Sequence, residues 1–198
     1  MTNKRALIIV DVQNDFCAAG ALATPQGSAV AKRIVAFLQD VKPAYDLVLT
    51  TQDWHIDPGE HFSSQPDFQD SWPTHCIAGS DGAQLHPFFR RISPDAHFRK
   101  GQFAAAYSGF EATHEKTEQP LLEYLLDHDI QALDVVGIAT DYCVRHTVLD
   151  ALANGFTVRV LTQFCAAVAE KSGNAALVEM EQAGAVIVHD ADDHDPFR

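Results

Sequence analysis

Short apolar runs alternate with segments of helical periodicity along most of this 198-residue chain. The runs are rich in β-branched residues and lack a polar alternation, which is typical of buried parallel strands. They predict strands at residues 6–10, 47–50, 133–138, 156–161 and 185–188, with a weaker strand at 96–100.

Four helices are predicted between these strands, because apolar residues recur there every three or four positions. Pro43 should stop the first helix, whose stripe begins at Val30, and Pro120 should begin the second. The third should close at Asn154-Gly155, which is a good C-terminal cap. The fourth should run from near residue 172 to residue 184.

Regular alternation of strands and helices predicts a single-domain, three-layer α/β/α fold with a mostly parallel sheet over residues 1–198. The exception is the stretch of about residues 52–101, which is rich in His, Pro, Asp and Phe and has little periodicity. Long aperiodic segments in compact domains are usually functional or disordered, and the aromatic content argues against disorder. We therefore expect a functional loop region here.

Composition excludes several classes of partner. The chain has 27 acidic and 14 basic residues and a net charge of −13, which disfavours binding to nucleic acid or to an anionic membrane. No apolar run is long enough for a signal peptide or a membrane span. The four cysteines form no CxxC pair and no dense disulfide framework, so a cytoplasmic location is expected.

Chemically capable side chains follow four of the predicted strands. Asp11 follows the first strand, Asp53 and His55 follow the second, Lys100 ends the weak strand, and Cys143 comes after residues 133–138. Ligands of open α/β sheets bind at the carboxyl ends of the strands. Any one of these residues could be incidental, but their common location predicts one active site.

Cys143 is the candidate nucleophile, and a thiol must be ionised to act as one. If Thr140 or Asp141 caps the following helix, Cys143 lies in its first turn, where unpaired N–H groups favour a thiolate. A nearby Lys100 ammonium would lower the thiol pKa further. Asp11 could then carry the proton to a leaving group, and backbone N–H groups of the turn could receive the oxyanion.

One carboxylate and three imidazoles occur within 23 residues, at Asp53, His55, His61 and His75. This ligand set suits one divalent ion, Zn²⁺, Fe²⁺ or Mn²⁺, and leaves coordination positions open. A metal and a cysteine nucleophile together indicate hydrolysis of a small carbonyl substrate.

The chain resembles the nicotinamidases (also called pyrazinamidases) of the isochorismatase-like cysteine hydrolases from about residue 5 to residue 188. The resemblance rests on motifs whose order and spacing both fit that family. They are Ile9-Val10-Asp11-Val12-Gln13-Asn14-Asp15-Phe16, Thr51-Gln52-Asp53-Trp54-His55, Trp72-Pro73-Thr74-His75-Cys76, Lys100-Gly101, Tyr107-Ser108-Gly109-Phe110 and Gly137-Ile138-Ala139-Thr140-Asp141-Tyr142-Cys143-Val144. Cys17-Ala18-Ala19-Gly20 and Ala104-Ala105-Ala106 depart from the usual family pattern; we expect neither to touch the chemistry, although the second could alter a pocket wall or a subunit contact.

The resemblance implies a six-stranded sheet and a role for each candidate residue. The implied catalytic residues are Asp11, Lys100 and Cys143, the implied metal ligands are Asp53, His55, His61 and His75, and the implied substrate contacts are Phe16, Trp72 and Tyr107. A cis peptide bond is implied at Ile138-Ala139, where it helps to aim the amides of Ala139 and Cys143 at the oxyanion.

The activity implied is metal-dependent hydrolysis of nicotinamide to nicotinate and ammonia through a Cys143 thioester, with pyrazinamide as a second substrate and NAD salvage as the destination. Three alternatives stay open. They are a sister amidase for carbamoyl or ureido substrates, a catalytically inactive metal-binding module, and a dinucleotide-binding domain. A dinucleotide-binding domain would need a glycine-rich turn after the first strand, and this chain has none there. Whether the chain forms a homo-oligomer is also open.

Overall fold

A seven-stranded sheet forms the centre of the protein, whose computed structural model describes residues 4–41 and 45–189. The strands are β1 (Arg5–Val10), β2 (Leu47–Asp53), β3 (Ala96–Lys100), β4 (Thr113–His114), β5 (Ala132–Ile138), β6 (Thr157–Ala166) and β7 (Val186–Val188). Their order is β4-β3-β2-β1-β5-β6-β7, and every neighbouring pair is parallel except β3 with β4. The mostly parallel sheet is therefore confirmed.

The expected strand count of six was wrong by one. All six predicted strands are present, and the seventh is β4, which has only two residues and pairs antiparallel with β3 at one edge of the sheet. A strand this short and polar leaves no periodic signal in the sequence. Strand β6 is also longer than predicted and continues through Thr162 and Gln163 to Ala166.

Four helices cover the two faces of the sheet. They are α1 (Gly27–Val41), α2 (Leu121–Asp127), α3 (Arg145–Ala153) and α4 (Glu170–Gln182). Helix α1 packs with Leu7 and Ile9 of β1 on one face, whereas α2, α3 and α4 pack with Ala6, Ile8 and Val10 on the other. The predicted three layers are present. Pro43, the predicted stop of α1, lies outside the described residues. No helix within the described ranges has the length and apolar content that a membrane crossing needs.

A buried charge cluster joins three strands near their amino-terminal ends. The Asp134 carboxylate of β5 is fully buried and receives hydrogen bonds from Arg5 Nη1 at 2.6 Å, Arg159 Nε at 2.8 Å and the Tyr45 hydroxyl at 2.6 Å. Buried charges cost free energy unless they are paired and hydrogen-bonded, and this carboxylate satisfies both conditions.

Replacing Asp134 with asparagine should lower the free energy of unfolding by about 3 kcal/mol, because it removes the buried negative charge that pairs with Arg5 and Arg159. Urea unfolding at neutral pH measures the loss. The matched control is Asp129→Asn, which breaks an exposed ion pair with Lys4 and should cost less than about 1 kcal/mol. Equal losses in the two variants would contradict a special contribution of the buried cluster.

Candidate active site

The carboxyl ends of four adjacent strands bring the predicted catalytic side chains together. Asp11 follows β1, Asp53 ends β2, Lys100 ends β3, and Cys143 lies in a π-helical turn, Thr140–Val144, between β5 and α3. All four side chains are buried. Asp53 and Cys143 line a pocket of about 450 Å³, including its open mouth, and Lys100 contacts both of them and Asp11. The structure thus places them at one edge of the sheet, as predicted.

Lys100 lies at the centre of this group. Its fully buried ammonium is 2.9 Å from Asp11 Oδ2, forms an ion pair with Asp53 Oδ1, and donates to the carbonyl of Ala106 at 3.0 Å. It also lies 3.6 Å from the Sγ atom of Cys143. The lysine therefore connects Cys143 to both carboxylates. The contact with Ala106 is through its backbone carbonyl, which any residue would offer, and Ala106 also lines the pocket, so the Ala104–Ala106 departure alters a pocket wall, as the sequence allowed.

The charge states of Lys100 and Asp53 follow from this pairing. Burial acts to lower the pKa of Lys100, but the carboxylates of Asp11 and Asp53 outweigh it and hold that pKa well above its usual range. Burial likewise acts to raise the pKa of Asp53, and the opposing charge of Lys100 overcomes it, so that the pKa lies below its usual value. Both groups are thus charged at neutral pH.

Asp11 differs from Asp53 although both contact the same lysine. Its backbone has a φ of 46° where the chain leaves β1, and its Oδ1 atom accepts a hydrogen bond from the Thr51 hydroxyl at 2.6 Å. Burial raises the pKa of Asp11 above the ordinary aspartate value. Lys100 lowers that pKa and the charge of Asp53 raises it, and the net shift is upward. A carboxylate of raised pKa is suited to accepting and returning a proton.

The expected side-chain cap of the nucleophile's turn is wrong. Ala139 precedes the turn, and neither Thr140 nor Asp141 caps it. The Asp141 carboxylate instead accepts hydrogen bonds from the backbone N–H of Val168 at 2.9 Å and of Ala169 at 3.3 Å. These amides lie just before α4, which begins at Glu170, so Asp141 connects the turn that carries Cys143 to the start of that helix.

The expectation of a lowered thiol pKa is also wrong. Burial raises the pKa of Cys143 well above the ordinary cysteine value, and the effect of Lys100, which does lower it as expected, is smaller. The carboxylates of Asp11 and Asp53 add to the increase. A thiol of raised pKa is protonated at neutral pH, so it can act as a nucleophile only with a base close by.

Three histidines from the long loop region form a compact cluster beside Asp53. Ligand atoms of His55, His61 and His75 all lie within 4.8 Å of one another. Asp53 Oδ2 is 3.8 Å from His55 Nε2 and 4.0 Å from His75 Nε2. Because Lys100 occupies Oδ1, the atom of Asp53 that remains for a ligand is Oδ2.

The donor atoms of this cluster fit a divalent ion. His55 Nδ1 donates to the carbonyl of Gly101 at 2.6 Å and His75 Nδ1 donates to that of Pro73 at 2.7 Å, which leaves each Nε2 with a lone pair. Among the described residues, neither His55 Nε2 nor His61 Nδ1 has a hydrogen-bond partner, although both are buried. Burial, followed by the neighbouring His75 and His55, lowers the pKa of His61 to about 4. Buried nitrogen atoms without partners are costly unless a ligand satisfies them.

Aromatic side chains line the pocket above Cys143. Phe16, Trp72 and Tyr107 all border it, as the resemblance implies. The Trp72 indole donates to the Tyr107 hydroxyl at 3.0 Å, and the Phe16 ring lies 5.5 Å from that of His75. Such a pocket accepts a flat ring between apolar faces. The peptide bond between Ile138 and Ala139 is cis, and both residues also line the pocket.

Sequence reasoning missed four pocket residues. Leu22, Thr24, Tyr142 and Val168 also line the pocket. Val168 follows β6, so the rule that placed Asp11 and Asp53 at strand ends could have found it. Tyr142 directly precedes the nucleophile. Leu22 and Thr24 come from a connection without periodicity, and no pattern in the sequence marks them.

Comparison with known proteins agrees with this geometry. The model of the isochorismatase domain family matches residues 5–192. A nicotinamidase/pyrazinamidase from Mycobacterium tuberculosis is 48% identical over 184 residues, which cover 93% of this chain and 98% of that protein. The pyrazinamidase of Pyrococcus horikoshii in complex with zinc matches with a TM-score of 0.79 and 32% identity, over 94% of this chain and 99% of that one. A protein from L. infantum in complex with nicotinate matches with a TM-score of 0.78 and 34% identity, over 95% of both chains. The chain belongs to the isochorismatase family.

Proposed function

We propose that this protein hydrolyses nicotinamide to nicotinate and ammonia through a thioester on Cys143, and that it accepts pyrazinamide as well. The observation that carries the proposal is the contact of Lys100 with Asp11, Asp53 and Cys143 directly beside the three-histidine cluster. The similar proteins named above are nicotinamidases or pyrazinamidases, or bind nicotinate, which supports the substrate class. The nicotinate formed would enter NAD salvage.

Each chemical step is assigned to a residue in the pocket or directly beside it. Phe16 and Trp72 hold the ring, which fixes the amide carbon next to Cys143 Sγ. Asp11 takes the thiol proton as Sγ attacks, and the backbone amides of Ala139 and Cys143 receive the oxyanion. Asp11 returns the proton to the departing ammonia. It then takes a proton from the water that attacks the thioester carbonyl and passes it to the departing Cys143 thiolate, which releases the acid, while Lys100 stays charged throughout.

The residues that would hold the divalent ion, Zn²⁺, Fe²⁺ or Mn²⁺, are Asp53, His55, His61 and His75. When bound, the ion supplies a Lewis acid to which the ring nitrogen of the substrate can bind. The zinc complex of the Pyrococcus pyrazinamidase is consistent with this assignment. A carbamoyl or ureido substrate has no ring nitrogen and would leave the histidine cluster without a role. The cluster therefore favours the pyridine amide over that alternative.

We expect the variant His55→Ala to lose bound metal and to lower kcat/KM for nicotinamide by about 100-fold, because a ligand to the ion is lost. Benzamide has the amide and the ring but no ring nitrogen. It should be a very poor substrate of the wild-type protein, and His55→Ala should change its turnover little. Ammonia release measures both activities, and elemental analysis measures the metal content.

The matched control for this experiment is His97→Ala. His97 is partly buried and bonded to Thr50 through Nδ1 at 2.6 Å, but it lies outside the histidine cluster. Its replacement should leave metal content and activity unchanged, and melting temperatures show whether each variant is folded. If the wild-type protein hydrolyses benzamide as well as nicotinamide, binding of the ring nitrogen plays no part in the reaction.

A further inference from the structure

Strand β1 ends before its neighbour β2 does, which leaves the backbone of Asp53 in an unusual position. The last backbone hydrogen bond between the two segments joins Asp11 N to Thr51 O at 3.2 Å. In a parallel sheet, the N–H and C=O of one residue point to the same neighbouring strand. Trp54 N donates to Lys100 O of β3, on one side of β2. The backbone N–H and C=O of the preceding residue, Asp53, therefore point to the opposite side of β2, where β1 has already ended.

The side chain of Gln13 takes the place of the missing strand. Its Oε1 atom accepts a hydrogen bond from Asp53 N at 2.9 Å, and its Nε2 atom donates to Asp53 O at 2.8 Å. Nε2 also donates to the carbonyl of Ala83 at 2.8 Å. Gln13 is fully buried. The side-chain amide of Gln13 thus forms the two backbone hydrogen bonds with Asp53 that a peptide group of β1 would form if the strand continued.

This contact holds Asp53 in place, and Asp53 lies between Lys100 and the histidine cluster. The Asp53 carboxylate pairs with Lys100 through Oδ1 and faces His55 and His75 through Oδ2. The direction of a strand side chain follows from the backbone that carries it. Any loosening of the Asp53 backbone therefore moves Oδ2 relative to the imidazoles.

We propose that Gln13 is a positioning residue for Asp53, and that it sets the affinity of the histidine cluster for a divalent ion. This proposal rests on the proposed function only in assigning Asp53 as a ligand. Partners that orient a metal ligand typically change metal affinity by about 10- to 100-fold when they are lost. The Gln13 side chain contacts the backbone of Asp53 and not the Asp53 carboxylate.

Gln52 supplies a matched control within the same structure. Its buried side-chain amide donates to the same carbonyl of Ala83, also at 2.8 Å, and its side chain makes none of the Asp53 contacts that Gln13 makes. Replacing Gln52 removes one buried amide hydrogen bond and leaves the contacts of Gln13 with Asp53 in place. Replacing Gln13 removes the contacts with Asp53 as well.

The test measures the zinc dissociation constants of the wild-type protein, Gln13→Met, Gln13→Glu and Gln52→Met by competition with a chromogenic chelator. We expect zinc binding to weaken by about 10- to 100-fold in Gln13→Met. Gln13→Glu keeps the size and the acceptor atom and should weaken binding less. Gln52→Met should bind zinc within about twofold of wild type. Melting temperatures are measured in parallel, and all titrations are done well below them.

The outcomes separate this proposal from the proposed function. If Gln13→Met and Gln13→Glu bind zinc as tightly as the wild type, the positioning role is overturned while the metal site stands. If Gln52→Met weakens zinc binding as much as Gln13→Met does, the effect is general loss of buried hydrogen bonds, and the proposal also fails. A wild-type protein that binds no zinc, iron or manganese would contradict the metal site itself.

Discussion

Replacing Cys143 with alanine should reduce ammonia release from nicotinamide by at least about 10⁴-fold, because removal of a covalent nucleophile costs several orders of magnitude in kcat. The substitution removes one buried Sγ atom next to Lys100 and leaves the pairing of that lysine with Asp11 and Asp53 in place. The fold should therefore be retained. Ammonia release under saturating nicotinamide and a thermal melt measure the two expectations.

The other cysteines provide the control for this prediction. Cys165→Ala removes a partly buried thiol on β6, outside the residues that line the pocket, and should leave turnover unchanged. Mass spectrometry of acid-quenched wild-type protein should locate the acyl adduct on the peptide that contains Cys143. An adduct on Cys17, Cys76 or Cys165 would show that the nucleophile has been misassigned.

Asp11→Asn should lower kcat by about 10³-fold with little change in KM, since general acid–base groups contribute about 10²- to 10⁴-fold. The amide has the size of the carboxylate and can still accept the hydrogen bond from the Thr51 hydroxyl, so substrate binding should persist. It cannot accept the proton of Cys143, whose pKa is raised by burial. Steady-state kinetics with nicotinamide give both constants.

Thr51→Val distinguishes proton transfer from positioning of the carboxylate. It removes the hydroxyl that donates to Asp11 Oδ1 at 2.6 Å but leaves the carboxylate itself. Loss of one supporting hydrogen bond should lower kcat by no more than about 10-fold. If Asp11→Asn retains as much activity as Thr51→Val, another group moves the proton.

The strands and the edge that holds the site were predictable from the sequence because both depend on local pattern. Apolar runs marked five of the six parallel strands, a weaker signal marked the sixth at 96–100, and the rule for ligands of α/β sheets placed Asp11, Asp53 and Cys143 together. Residue types and spacing alone indicated a metal site beside a thiol, with Asp11 as a proton carrier. The substrate, its aromatic contacts and the cis peptide bond came from the resemblance to a family.

What the sequence did not reveal depends on contacts between distant segments. The pKa of Cys143 is set by how deeply the thiol is buried, which no local pattern reports. Asp141 lies two residues before Cys143 in sequence, yet its carboxylate accepts hydrogen bonds from amides 27 and 28 residues later. The contact of Gln13 with Asp53 spans 40 residues and depends on where β1 stops.

The bond between Asp141 and the start of α4 sets an order of events during synthesis. Val168 and Ala169, whose amides hold the Asp141 carboxylate, leave the ribosome after Cys143 does. A nascent chain that ends before residue 168 contains Asp11, Lys100 and Cys143 but lacks the amides that hold Asp141, and it also lacks α4 and β7. The turn that carries Cys143 therefore gains its Asp141 contact only after the segment between β6 and α4 has been made.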